Sequence, residues 1–277
     1  MKFKHTGKVL ISVREIKLMK TLLFFLLVLT PIPLVYAELN ELPIISSEQI
    51  PISYSEKMTE VIFDGKWSFF SEWKNSSLNE LDGLKIRSAH QGDFVYFMLN
   101  YVSDTTYAKN SDRAKICIDT KNNQSLNPDT DDYCFLAIMG KTNGHILKGG
   151  TPFPITNHME KIPNHIEYIG VGNFSDENDR YSKTPHATYE FKIPTDVITR
   201  SNEYGIYIEV FDSNGEKTTW PPNYELANPQ LIPSPKNWGT LISIDSSLPE
   251  FPLPMLTFSI LMATIIVLGV KTKLINI

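Results

Sequence analysis

Among its 277 residues the chain has only two cysteines, Cys117 and Cys134. No Cys-x-x-Cys-His run is present, which excludes covalently attached c-type haem. Catalytic signatures are missing as well: there is neither a His-Glu-x-x-His pair nor a Gly-x-Ser-x-Gly elbow. The run Met139, Gly140, Lys141, Thr142 has the ending of a phosphate-binding loop, but Phe135 stands where that loop needs its first glycine. No pair of carboxylates is singled out for glycosidase chemistry, so the chain reads as a non-enzyme. An EF-hand is excluded because the loop after Asp119 has Gln124 where the glycine must be. Long apolar runs occur only at the two ends, and between them no long amphipathic helical pattern appears.

The two ends carry export and tethering signals. Basic residues from Lys2 to Lys20 precede the apolar run 21–37, with Val35 and Ala37 as the small residues of a cleavage site. This reads as a signal peptide over residues 1–37, with Met19 as an alternative start. No cysteine follows it, so no lipid-modified amino terminus is expected. At the other end residues 253–270 are uncharged and apolar and are followed by Lys271 and Lys273. A helix of that length reaches roughly 27 Å, enough to cross a thin bilayer. The lysines place the 271–277 tail on the cytoplasmic side, so the chain is expected to be single-pass, with its body on the outer face of the cell membrane. Residues 246–252 form a linker containing Pro249, Glu250 and Phe251. That motif, one hydrophobic helix and a basic tail together resemble the archaeal Pro-Glu-Phe carboxyl-terminal sorting signal, which implies a membrane sorting peptidase as partner. Pro252 replaces the glycine usual after the motif.

Little positive charge remains between the ends. Eight of the 26 basic residues but only Glu15 of the 31 acidic ones lie in the two terminal segments, which leaves the body near −12. That balance argues against nucleic acid and is compatible with divalent cations. Residues 38–60 read as an extended lead-in or edge strand marked by Pro43 and Pro51, and 61–245 as one domain. Within it, aromatic and β-branched runs at 84–89, 94–102, 114–119, 133–139, 144–150, 166–172, 187–193, 205–212 and 240–244 alternate with loops rich in Asp, Asn, Ser, Gly and Pro. The pattern predicts an all-β, two-sheet antiparallel β-sandwich. Phe94, Tyr96, Met98 and Asn100 share one face of a strand whose other face is also apolar, so that strand is expected to be central. Cys117 and Cys134 fall on two consecutive runs of a β-meander, and in an exported protein a disulfide between them is expected. Trp67 and Trp73 are read either as stacking platforms or, preferably, as closure of one end of the core. Asn75, Asn123 and Asn173 head glycosylation sequons in predicted loops.

The segments DGKWSFFSEW, HQGDFVYFMLNYVSD, SDRAKICID and YGIYIEVFDSNGEKTTWPP, in that order, resemble the DOMON-type superfamily. That group includes family 9 carbohydrate-binding modules and the haem-binding domain related to the ethylbenzene dehydrogenase gamma subunit. The resemblance implies a sandwich binding either a saccharide, often with structural calcium, or a b-type haem. Asp104, Asp112, Asp119 and Asp131 flank the meander strands and are the candidate calcium ligands, the first two favoured by the resemblance. For a saccharide, Trp220 is the candidate platform, with Tyr224 and Trp238 as further aromatics and Asn214 as a hydrogen-bonding partner. A haem b would need Met98 with His145, His158 or His165, residues that also read as core filler and loop polar groups. The function read first is a non-catalytic, surface-anchored carbohydrate-binding protein whose partner is a saccharide such as an envelope glycan. An envelope structural protein comes second and a haem-b electron carrier third.

Overall fold

Alternating aromatic and β-branched runs between turn-forming loops fold into thirteen strands among the residues that the computed structural model describes, namely 48–81, 83–150, 159–222, 232–245 and 248. The leader, the sorting motif, the carboxyl-terminal apolar run and Tyr224 lie outside them. All described residues belong to one unit, Ile44–Ile277. In chain order the strands are β1 Gln49–Tyr54, β2 Ser77–Leu81, β3 Leu84–Gln91, β4 Phe94–Tyr101, β5 Arg113–Asp119, β6 Asp132–Ile138, β7 His145–Lys148 and β8 Glu160–Ile162. They continue as β9 Ile169–Phe174, β10 Ala187–Pro194, β11 Glu203–Phe211, β12 Lys217–Trp220 and β13 Gly239–Ser243. Among the described residues the one α-helical turn, α1 Thr195–Ile198, follows Pro194, whose fixed φ and missing N–H suit a helix start. Among the described residues no helix is long and apolar enough to cross a membrane.

One sheet runs β8-β7-β6-β5-β11-β13-β1, with β12 also paired to β11, and the other runs β1-β3-β4-β10-β9, with β2 also paired to β3. The lead-in is therefore not an edge strand. Gln49 to Ile52 pair with β13, and Ser53 and Tyr54 pair with β3, so β1 belongs to both sheets. Both pairings are parallel, which corrects the all-antiparallel expectation; the remaining ladders are antiparallel. Two parallel neighbours need long crossovers, and here the whole domain between β1 and β13 is the crossover.

β4 is central, between β3 and β10, and its alternation sorts the layers. Val95, Phe97 and Leu99 point inward to meet Ile116, Phe135, Ile206 and Ile208 of the opposite sheet in the main core. The outward residues Tyr96 and Met98 are buried too, under Met58, Val61, Trp67 and Trp73. Those two tryptophans are 4% and 0% exposed, and Trp73 Nε1 donates to the buried Glu190 at 2.9 Å. Gly65 holds φ at +79°, and its N–H donates to the same carboxylate at 2.7 Å. A Cβ there would stand 2.5 Å from Asn173 Cβ, so glycine is required twice over. Residues 61–76 form bends and turns.

The outer face of the other sheet has its own small cluster of Tyr207, Ile232, Trp238 and Met159 around Cys117 and Cys134. The cysteines are register partners on β5 and β6 and are bonded to each other. Asn75 and Asn123 are exposed in loops, whereas Asn173 stands in β9 and donates to Asp64 O at 2.9 Å.

Candidate functional site

Two loops meet at one end of the sandwich. The β4–β5 loop supplies Asp104 and Asp112, and the β11–β12 hairpin supplies Asp212. One carboxylate oxygen from each lies within 4.8 Å of the others, and all three side chains are buried. The local folding is Asx chemistry, in which a carboxylate caps the backbone two residues on. Asp104 Oδ1 accepts from Thr106 N and Oγ1 at 3.0 and 3.1 Å, and Asp212 Oδ1 accepts from Asn214 N at 2.9 Å. Asp112 ties the loops together, accepting from Ala108 N at 3.0 Å and from Ser213 N at 2.9 Å.

Two polar atoms at this place have no hydrogen-bond partner among the described residues: Asp104 Oδ2 and the Tyr189 hydroxyl, both enclosed. Burial, then the charges of Asp212 and Asp112, raise the Asp104 pKa. Burial, then Asp112, Asp104 and Asp212, raise that of Tyr189. Three buried carboxylates with an orphaned oxygen are expensive unless a cation joins them. Hard oxygen donors on flexible polar loops suit calcium. The residues fit the group that the sequence resemblance implies.

Of the expected ligands, Asp104 and Asp112 are thus brought together, and Asp212 is the partner that sequence reading missed. Its signal was present: Asp-Ser-Asn-Gly at residues 212–215 is a turn that aims its first side chain back at the sheet. Asp119 and Asp131 stand apart from the triad. Asp119 has both oxygens capped, by Lys121 N and Gln124 N, and Asp131 pairs with Lys121 Nζ at 3.2 Å. Beside them Asp132 is fully buried, and burial, with Asp119, Asp129 and Asp131 nearby, pushes its pKa up to about 7. A carboxyl raised from an unfolded value near 3.9 binds its proton more tightly in the fold, so stability falls as pH rises from about 4 to 7. Asp132→Asn keeps the acceptor for Asp129 N and removes the charge. Urea unfolding is expected to show it on the order of 1–2 kcal/mol more stable than the parent at pH 8, with no gain at pH 4.

The proposed saccharide residues take a different place from the one expected. Trp220 is 2% exposed, inside the main core, with its ring lying over Gly239, where a Cβ would come within 2.3 Å of Cη2. The hairpin turns its indole inward because Trp220 pairs with Ile208, a core-facing position of β11. Trp238 is also enclosed, stacked on Tyr207 with its Nε1 donating to Pro233 O at 3.0 Å. Asn214 is used within the acidic site, donating to Thr106 Oγ1 at 2.8 Å. Of the haem candidates, Met98 lies under Trp67 and Trp73, while His145 stands on β7 of the other sheet and His165 pairs with Asp196 at 3.1 Å. The structure does not bring Met98 together with either; His158 lies outside the described residues.

An open cleft of about 270 Å³ lies elsewhere, on the outer face of the β3-β4-β10-β9 sheet. Its floor is one row across the strands, Tyr96, Lys192 and Ile169. Phe94 and Phe63 form its walls, with Met58, Thr59 and Gln91 at the rim. The Phe63 ring stacks on Tyr96 at 6.2 Å and 17°, and Phe94 leans on Tyr96 at 6.1 Å. Gln91 fixes the rim by accepting from Thr59 N at 3.0 Å and donating to Glu56 O at 2.9 Å. Phe94 and Tyr96 were legible as one face of a central strand, but the covering segment that turns this face into a cleft was not.

No family model matches the sequence, and no curated protein matches it. Among solved structures the chain is similar to a family 9 carbohydrate-binding module from Caldicellulosiruptor kristjanssonii in complex with cellotriose. The two are 13% identical, with a TM-score of 0.44, covering 70% of this chain and 93% of that one. A structure of such a module from the same organism in complex with glucose is 14% identical, with a TM-score of 0.43 over 70% of this chain and 95% of that one. At these values the similarity is one of outline, and no ligand passes from those modules to this chain.

Proposed function

We propose that this chain is a non-catalytic saccharide-binding β-sandwich, exported and tethered outside the membrane, with its loop end held by a divalent cation. The observation that carries this reading is the cleft over Phe63, Phe94 and Tyr96. Sugar rings present apolar C–H faces that stack on aromatic side chains, with polar groups at the rim fixing orientation. Its volume, just below the usual range for ligand pockets of about 300–1,000 Å³, suits one sugar ring. Asp104, Asp112 and Asp212 would hold the cation, which supplies charge compensation and so fixes the β11–β12 hairpin. The Pro249–Phe251 motif and the run after it serve as tether and as substrate for a sorting peptidase.

The test is a broad glycan array read with the soluble body. Binding is expected, and Phe94→Ala is expected to weaken it at least tenfold, the measure of a lost stacking face. A second reading, an envelope protein making only protein contacts, is favoured by the exposed Ile62, Phe70 and Ile166. Absence of binding across the whole array would put that reading first.

A further inference from the structure

Two polar groups in the cleft lack partners of their own. Lys192 makes no ion pair with any described residue, and its Nζ stands 3.7 Å from the centroid of the Phe94 ring. The Tyr96 side chain is 98% enclosed and lines the cleft, yet its hydroxyl has no hydrogen-bond partner among the described residues. Burial pushes that phenol up to about 12, so at neutral pH it remains a donor. Tyr96 and Lys192 are register partners on β4 and β10, so both groups face the same side of the row. Lys66, Lys85, Lys115 and Lys121 each have a carboxylate partner, in Asp176, Glu80, Glu209 and Asp131, whereas Lys74 and Lys148, like Lys192, stand over aromatic rings. In the cleft the ammonium is left over an aromatic ring.

We infer that the ligand of this cleft is an acidic sugar, a hexuronate whose ring lies on Phe94 and Phe63 and whose carboxylate meets the Lys192 ammonium and the Tyr96 hydroxyl. This rests on the saccharide reading above and adds the charge of the ligand to it. A neutral hexose uses the aromatic walls but leaves both polar groups without an acceptor of matching charge. A simple aliphatic carboxylate satisfies them but leaves the walls bare. A ring bearing a carboxylate answers both demands, and a charge-assisted hydrogen bond to a partly enclosed ammonium is stronger than a neutral one.

Calorimetry with trigalacturonate and with its fully methyl-esterified form isolates the charge, because the rings are the same. The free acid is expected to bind roughly ten- to a hundredfold tighter than the ester, and to weaken as salt is raised from 50 to 500 mM. Lys192→Met is expected to bring the acid down to the level of the ester, Lys192→Arg to keep most of the preference, and Tyr96→Phe to lose severalfold. Thermal midpoints of the variants show that each is folded, and the charge-retaining Lys192→Arg keeps the test open if Lys192→Met is not. Equal affinity for acid and ester, or an unchanged preference in Lys192→Met, overturns the inference. Binding of neutral oligosaccharides without the acid overturns it too but leaves the saccharide function standing, whereas no saccharide binding at all removes both. Tighter binding of phenylacetate than of any uronate assigns the cleft to aromatic acids instead and also overturns it.

Discussion

Millimolar calcium is expected to raise the thermal midpoint of this protein by roughly 8–16 °C, and Asp104→Asn to abolish the rise. A ligand present at a thousand times its dissociation constant stabilises the fold by about 4 kcal/mol. In a domain of 150–250 residues each kcal/mol is worth roughly 2–4 °C. The physical source is the Asp104, Asp112 and Asp212 cluster, whose mutual repulsion and orphaned Asp104 Oδ2 are relieved together. The same argument fixes two signs. Chelated Asp104→Asn should be more stable than the chelated parent, because one buried charge is gone, yet in calcium it should be the less stable of the two. Since burial and its neighbours raise the Asp104 pKa, the chelated parent should lose stability as pH rises above about 4. Acidification toward pH 4 therefore stabilises the chelated parent, and bound calcium flattens that slope. A parent whose midpoint moves with neither calcium nor chelator would dismiss the cation.

Glu209→Ala is expected to destabilise the domain by about 3–5 kcal/mol, while the double variant Lys115→Met with Glu209→Leu is expected to be near neutral or better. Lys115 and Glu209 are register partners on β5 and β11, their charged atoms are 3.0 Å apart, and their side chains are 8% and 1% exposed. Tyr207 OH donates to the second oxygen of Glu209 at 2.8 Å, which completes its shell. Removing one member leaves an enclosed, uncompensated charge; removing both leaves no buried charge beside the disulfide cluster, only the Tyr207 hydroxyl without its acceptor. Urea unfolding of Lys115→Met, of Glu209→Leu and of the double variant measures the coupling directly. Singles that each cost less than 1 kcal/mol, or effects that simply add, would show that the pair is hydrated and not buried as described.

Strand positions were legible because each face of this domain keeps the period of two. β4, β5, β6, β10 and β11 were all visible as apolar or alternating runs between loops of turn formers, and the cysteines on neighbouring runs made their bond legible too. What stayed hidden was anything set by pairing across long separations. Nothing local in Gln49–Tyr54 says that it lies between β13 and β3, because its Pro51 argues for an edge. Trp220 looked like a platform because it follows a polar hairpin; its inward turn depends on register with Ile208, which residue identity does not encode. In the acidic site, Asp104 and Asp112 were found because they share a loop, and Asp212 was missed because it arrives from a strand a hundred residues later. Lys192 and Phe63 drew no notice for the same reason, since a cleft is a property of neighbours.

The shared strand β1 has a mechanical consequence. β1 and β13 are the first and last strands of the described fold, lie side by side and run in the same direction. Tension applied between the two ends of the domain therefore drags these neighbours lengthwise in opposite senses, so the rungs from Gln49↔Thr240 to Ile52↔Ser243 share the load and must give way together rather than peel open singly.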